Sequence, residues 1–269
     1  MAGLRIERDG GVLRITLAKP ERRNAFDAAL IADLHDAFSD VGDARVVVLA
    51  GDGPSFCAGA DVGGARAVVL AGDGPSFCAG ADVEWQRSSI DLSYEENVED
   101  ALRLYRMMEA LDACPAPLVT AVQGFALGGG SGLVACSDIA VAQPDATFGF
   151  TEVRLGIIPA VISPFVFAKI GTGAARRFFL TGERFDATTA QRIGLVQEVA
   201  DDLDAAVGRF VGEILKSGPE ATRAAKRLAR EHPSEGEELA RIAAGLRSDD
   251  EGQEGLRAFL DKRKPRWIP

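Results

Sequence analysis

The sequence predicts an α/β fold followed by a helical tail, and three observations carry that expectation. Short apolar runs suited to strands alternate with amphipathic runs of helical period over residues 1–200. A glycine-rich segment, GFALGGGSGLVAC at 124–136, joins one such strand to a helix. Residues 201–269 then read almost wholly as helix, with breaks at Gly218-Pro219, at His232-Pro233 and near Asp249. The expected division is an α/β core over 1–200 and a helical C-terminal subdomain over 201–269.

Taken in order, residues 3–9 and 12–18 alternate in polarity around Gly10-Gly11 and read as a β-hairpin. Asn24 is placed to cap a helix whose apolar stripe is Phe26, Leu30, Leu34, Phe38 and Val41. Residues 95–113 form an amphipathic helix with Leu102, Tyr105, Met108 and Leu111 on one side. CPAPLVTAVQG is a strand entered through two prolines, and SDIAVAQ is a shorter one. Helices are expected near 161–170, 173–180 and 187–193.

Between the first two helices the chain repeats itself. Residues 44–62 read ARVVVLAGDGPSFCAGADV and residues 65–83 read ARAVVLAGDGPSFCAGADV, identical at 18 of 19 positions with a period of 21. Two copies are too few for a solenoid. The pattern is that of a tandem duplication in which one copy is a strand plus loop and the other an insertion. The second copy continues into ADVEW and is expected to be the one that docks, leaving the first VVVLAG displaced.

Net charge is −10 and the sequence pI about 4.9, which disfavours nucleic-acid binding. No run of about 18 consecutive apolar residues is present, and the N-terminus lacks the apolar core of a signal peptide, so a cytosolic protein without a membrane span is expected. Cys57, Cys78, Cys114 and Cys136 form no CxxC pair and read as buried thiols, with no metal site. His35 and His232 are the only histidines, and both read as structural. There is no P-loop and no dinucleotide-binding glycine pattern. Ser131 lies in a glycine run, but Leu133 stands where a serine-hydrolase elbow needs glycine.

Three segments carry candidate chemistry. SFCAGADV, at 55–62 and 76–83, follows an apolar strand and turns through glycine. GFALGGGSGL brings Gly128, Gly129 and Gly130 to a helix start, where unpaired N–H groups and the helix dipole suit an oxyanion. ATFGFTEVRLGIIP sets Glu152 among Phe148, Phe150, Leu155 and Ile157, so that partial burial is expected to raise its pKa toward neutral pH.

In this order the three segments, with RRNAF at 22–26 and FLDKRKPRW at 259–267, resemble the crotonase (enoyl-CoA hydratase/isomerase) family over nearly the whole chain. The resemblance implies a spiral of ββα units, assembled as homotrimers or as hexamers built from two trimers. It implies an acyl-CoA substrate, with coenzyme A entering as part of that substrate and no cofactor bound permanently. Two peptide N–H groups would hold the thioester oxygen: that of Gly129 and that of the alanine after AG in CAGAD, Ala81 in preference to Ala60. Ala79, Asp82, Gly128 and Gly132 would line the acyl site. Arg22, Arg23, Phe259 and Lys262 would meet the coenzyme.

The sequence also departs from that pattern. Family hydratases that use two glutamates carry the second two residues after GGG, where this chain has Gly132. Glu152 alone remains. The similarity of 153–171 to bacterial hydratases of branched or carboxylated enoyl-CoAs, such as methylglutaconyl-CoA in leucine degradation, favours hydration. A 3-enoyl to 2-enoyl isomerase and a catalytically silent CoA-binding or scaffold member remain open. The space beside Gly132 is one place where a bulkier substrate group could enter.

Overall fold

The structure, a computed structural model, describes residues 4–9, 12–18, 27–42, 46–51, 68–71 and 89–268. Its strands are β1 (Leu4–Asp9), β2 (Val12–Leu17), β3 (Val46–Gly51), β4 (Val68–Ala71), β5 (Leu118–Val122), β6 (Phe125–Leu127), β7 (Ile139–Ala142), β8 (Thr147–Gly149), β9 (Arg184–Asp186) and β10 (Glu198–Val199). Its helices are α1 (Ala28–Ser39), α2 (Tyr94–Ala113), α3 (Gly129–Ala135), α4 (Ser163–Thr181), α5 (Ala187–Arg192), α6 (Leu203–Lys216), α7 (Pro219–Glu231), α8 (Gly236–Ser248) and α9 (Asp250–Leu260).

Among the described residues the main sheet has seven strands in the order β1-β2-β3-β4-β5-β7-β10, and a second sheet runs β6-β8-β9. The hairpin expected at the N-terminus is β1–β2, antiparallel with Leu4 opposite Leu17. From β2 to β10 all pairings in the main sheet are parallel. Parallel sheets need cover on both faces. Here β5 divides its side chains between two clusters. Leu118 and Val122 join the large core with α1, α2, α3 and α4 residues, while Val119 and Ala121 pack with Val207 and Val211 of α6.

The repeat is resolved differently from the expectation. Neither copy's strand is displaced: the first supplies β3 and the second supplies β4, side by side. β3 pairs with β2 along its whole length, and β4 pairs with β5 from Val68–Leu118 to Ala71–Ala121. Val48 lies opposite Val69 and Leu49 opposite Leu70, so equivalent residues of the two copies face each other in identical register. The reason is physical. An extra parallel strand inserted between two others satisfies its own N–H and C=O groups on both edges, whereas an expelled one leaves them to water or neighbours.

Local signals set the helix ends. Asp27 caps α1, its Oδ1 accepting from Leu30 N at 2.8 Å, so the helix starts later than an Asn24 cap would place it; Asn24 and Phe26 lie outside the described residues. Leu30, Leu34, Phe38 and Val41 are buried as expected. Ser93 and Glu96 form a reciprocal capping box at the start of α2. Leu102 is 39% exposed, because the inward face of α2 runs through Met107, Met108 and Leu111. The two helices expected at 161–180 are the halves of α4, broken at Gly171, whose φ of 71° is left-handed. His232 ends α7 in a left-handed turn, and Cys114 and Cys136 are buried free thiols.

The C-terminal helices are fastened to the core by charge. Lys226 of α7 is 6% exposed at its side chain, and its Nζ meets Asp138 Oδ2 at 2.7 Å and Ala116 O at 3.1 Å. The same Asp138 oxygen accepts from Leu118 N at 2.6 Å. The pair is thus held by further hydrogen bonds, the condition under which burial of opposite charges is tolerated.

Because β3 and β4 are interchangeable in sequence and register, deleting residues 44–64 leaves one strand able to bridge β2 and β5. The shortened chain is expected to unfold cooperatively, with a melting temperature no lower than that of the full chain, when followed by circular dichroism. A molten or insoluble product would show that both strands are needed.

Candidate active site

The site forms where β5 ends. Three residues later the chain enters β6, and it then turns through Gly128, whose φ of 53° and ψ of −119° suit glycine. Gly128 N donates to Gly149 O at 2.8 Å, tying this turn to the end of β8. Gly129 is the first residue of α3, so its N–H has no acceptor within the helix.

Glu152 arrives from the other side. It follows β8 by three residues and opens a short 3-10 turn, Glu152–Leu155, that Gly156 ends at φ 77°. Its carboxylate lies against the glycine turn: a Cβ built on Gly128 would stand 3.2 Å from Glu152 Oε1. Gly128 is therefore required twice, by its backbone angles and by the carboxylate beside it. Glu152 Oε2 is buried and meets no hydrogen-bond partner among the described residues. Burial raises the pKa of Glu152 above its ordinary value, opposed only by a hydrogen bond from its own backbone. Phe148 and Phe150 are fully buried, but Leu155 and Ile157 are 64% and 57% exposed and do not supply the expected cover.

Gly132 sits one turn into α3. A Cβ there would lie 2.6 Å from Ile162 Cγ2 and 3.2 Å from Met108 Cε. The expected space for a bulkier substrate group is therefore occupied by the protein itself. Ile162 is 2% exposed and precedes α4, in a turn held by Ser163 Oγ donating to Ala160 O at 2.8 Å. A β-branched side chain on a fastened turn has little freedom to withdraw.

The structure thus brings Glu152, Gly128, Gly129 and Gly132 together. Ala60, Ala79, Ala81, Asp82, Arg22 and Arg23 lie outside the described residues. The strand of the second copy, β4, is the one adjacent to β5, which leads to the glycine turn; β3 is one strand farther away. Phe259 is 81% exposed and Lys262 is also exposed, near the C-terminal end of α9, a helix that packs on α7 and α8. Sequence reasoning missed Ile162 and Met108, whose closeness to Gly132 has no local signal. It noted Ser131 only as a failed elbow, although that side chain is fully buried and hydrogen-bonded to both strands of the turn.

Two outcomes follow from this packing. Gly132→Ala is expected to destabilise by about 1–3 kcal/mol in urea unfolding, the usual cost of overpacking. Ile162→Leu, which removes the clashing Cγ2 at nearly constant volume, should recover much of that loss, whereas Ile162→Val, which keeps the β-branch, should not. For Glu152 the sign is set by its raised pKa. Below its ordinary value of 4.5 the folded and unfolded chains are both protonated there. As pH rises above that value, the unfolded chain releases the proton first and the folded state loses stability. The melting temperature of Glu152→Gln relative to the unsubstituted protein should therefore rise as pH increases above 4.5 and level off once Glu152 is ionised in the folded state as well.

Known proteins share this arrangement of the chain. The sequence model of the enoyl-CoA hydratase/isomerase family matches residues 7–66 and 63–268, two pieces that overlap where the second copy of the repeat begins. The chain is 31% identical to cyclohexa-1,5-dienecarbonyl-CoA hydratase of Thauera aromatica, over 97% of this chain and 95% of that one. A crystal structure of an enoyl-CoA hydratase from Shewanella pealeana superposes with a TM-score of 0.85 at 36% identity, covering 98% of this chain and 96% of that one. Pseudomonas aeruginosa AtuE superposes with a TM-score of 0.87 at 36% identity, covering 99% of this chain and 100% of that one. With matches of this extent, the chain belongs to the enoyl-CoA hydratase/isomerase family and has its crotonase-type α/β fold.

Proposed function

We propose that the protein is a cytosolic enoyl-CoA hydratase that works with one carboxylate. The observation that carries this reading is Glu152, with an unpartnered oxygen among the described residues, buried against Gly128, the residue before Gly129, whose helix-start N–H has no acceptor within α3. In the reaction, Glu152 takes a proton from water as the water oxygen bonds to C3 of a 2-enoyl thioester. The C2–C3 π electrons move toward the carbonyl, whose oxygen becomes enolate-like. Glu152 then returns the proton to C2, and the thioester carbonyl re-forms.

Gly129 N–H and the N–H of Ala81 stabilise that oxygen. Fixed backbone donors do so without reorganising, and losing one typically costs about 3–4 kcal/mol. The choice of Ala81 over Ala60 is supported by the position of β4 next to β5. Ala79 and Asp82, close to Ala81 in sequence, would then line the acyl site. Branched or carboxylated 2-enoyl-CoAs, of the methylglutaconyl type met in leucine degradation, are the substrates the sequence similarity favours.

A second reading has its own support. Ile162 and Met108 close the region beside Gly132 with apolar atoms, which suits proton shuttling between carbons and hence 3-enoyl to 2-enoyl isomerisation. Assembly into a trimer, or a hexamer of two trimers, is supported by Phe259, Leu260 and Leu256 of α9, which are 81%, 76% and 47% exposed. Phe259 and Lys262 would then reach the coenzyme of a neighbouring copy, with Arg22 and Arg23 meeting its nucleotide end.

Turnover of crotonyl-CoA, a 3-enoyl-CoA and 3-methylglutaconyl-CoA separates these readings. Hydration of the third at the highest kcat/KM is expected. Glu152→Gln should lower kcat about 10²–10⁴-fold, the usual contribution of a general acid–base group. Faster turnover of the 3-enoyl thioester would favour isomerisation, and an unimpaired Glu152→Gln would remove the mechanism.

A further inference from the structure

We infer that Ser131 is a positioning residue that fixes the distance between the Gly129 N–H and Glu152; the inference rests on the oxyanion reading above. Ser131 is the third residue of α3 and fully buried. Its Oγ donates to Ala126 O of β6 at 2.7 Å and accepts from Gly149 N of β8 at 3.3 Å. Gly149 O, also 3.3 Å from that hydroxyl, accepts from Gly128 N at 2.8 Å. One hydroxyl therefore ties the first turn of a seven-residue helix to both strands that bring the site together.

The consequence is a short mechanical link. Gly128 precedes Ser131 by three residues, and Glu152 follows Gly149 by three. Gly149 is bonded through both its N–H, to Ser131, and its C=O, to Gly128. The tolerance at the far end is small, since Oε1 lies only 3.2 Å from the place a Gly128 Cβ would take. Without the hydroxyl, nothing on α3's first turn other than the Gly128–Gly149 bond holds it to β8 among the described hydrogen bonds. A nucleophilic role does not fit Ser131, because it is fully buried, its proton is engaged by Ala126 O, and the histidines lie on α1 and at the end of α7.

The test uses the full chain with Ser131→Ala and Ser131→Cys, the latter keeping the volume with a weaker donor. Calorimetry compares binding of free CoA with that of a 3-oxoacyl-CoA, whose enolate places negative charge on the thioester oxygen. Ser131→Ala is expected to leave CoA affinity unchanged and to weaken the 3-oxoacyl-CoA about 10- to 100-fold, the scale of loss that misplacement by about 1 Å produces. On a turned-over enoyl-CoA, kcat should fall by a similar factor at constant KM. The acid limb of the pH profile should move down as Glu152 gains water, and Ser131→Cys should fall between. A lowered melting temperature with unchanged ligand ratio, kcat and pH profile would make Ser131 structural only and overturn the inference. If the unsubstituted protein binds the 3-oxoacyl-CoA no better than CoA, the oxyanion reading itself fails, and the positioning role fails with it.

Discussion

A strand buried on both faces is the constraint on which the rest of the structure depends. β5 is fully sequestered, with Leu118 and Val122 toward one cluster and Val119 and Ala121 toward the other. Such a strand cannot shift without opening two cores at once. Its beginning is pinned by Asp138 through Leu118 N, and Asp138 is itself paired with Lys226. Its end feeds the glycine turn. The position of the Gly129 N–H is thus inherited from a strand packed on both faces, which is where precision of placement is least costly to keep.

The ionisable side chains near this strand are arranged in two opposite ways. Lys226 and Asp138 are matched to each other, with extra hydrogen bonds to backbone. Glu152 has desolvation without a compensating cation among the described residues, so its protonated form is favoured instead. The first arrangement fastens helices to a sheet. The second leaves a carboxyl group that holds its proton to higher pH than an exposed glutamate does. The difference lies in the partner supplied, since both groups are carried by the same core.

Much of this was legible in the sequence because it is local. Period and breakers located α1, α2 and the four C-terminal helices, and the glycine run marked the turn at Gly128. Glu152 was found because a carboxylate among aromatic residues is conspicuous. What failed was tertiary in origin. Asn24 and Asp27 are both residue types that cap helices, so composition alone did not say at which of them α1 begins. Leu102 belongs to an apolar pattern, yet the angle at which α2 meets the core leaves it exposed. Ile162 fills the place beside Gly132 from a segment thirty residues away, so no spacing rule could have linked the two. The fate of the repeat depended on whether a sheet would accept another strand, which composition does not decide.

That last feature has a consequence beyond this fold. Two identical strands lying parallel, with every described pair matching like with like, are the elementary step of the stacking found in fibrils. Translation by one repeat unit carries β3 onto β4, and nothing in that pairing by itself sets a number of copies. Here the number is set from outside. β2 bounds the stack on one side and β5 on the other, and both differ in sequence from the strands between them. A self-complementary segment is kept finite by unlike neighbours, which act as terminators of a series that would otherwise have no natural end.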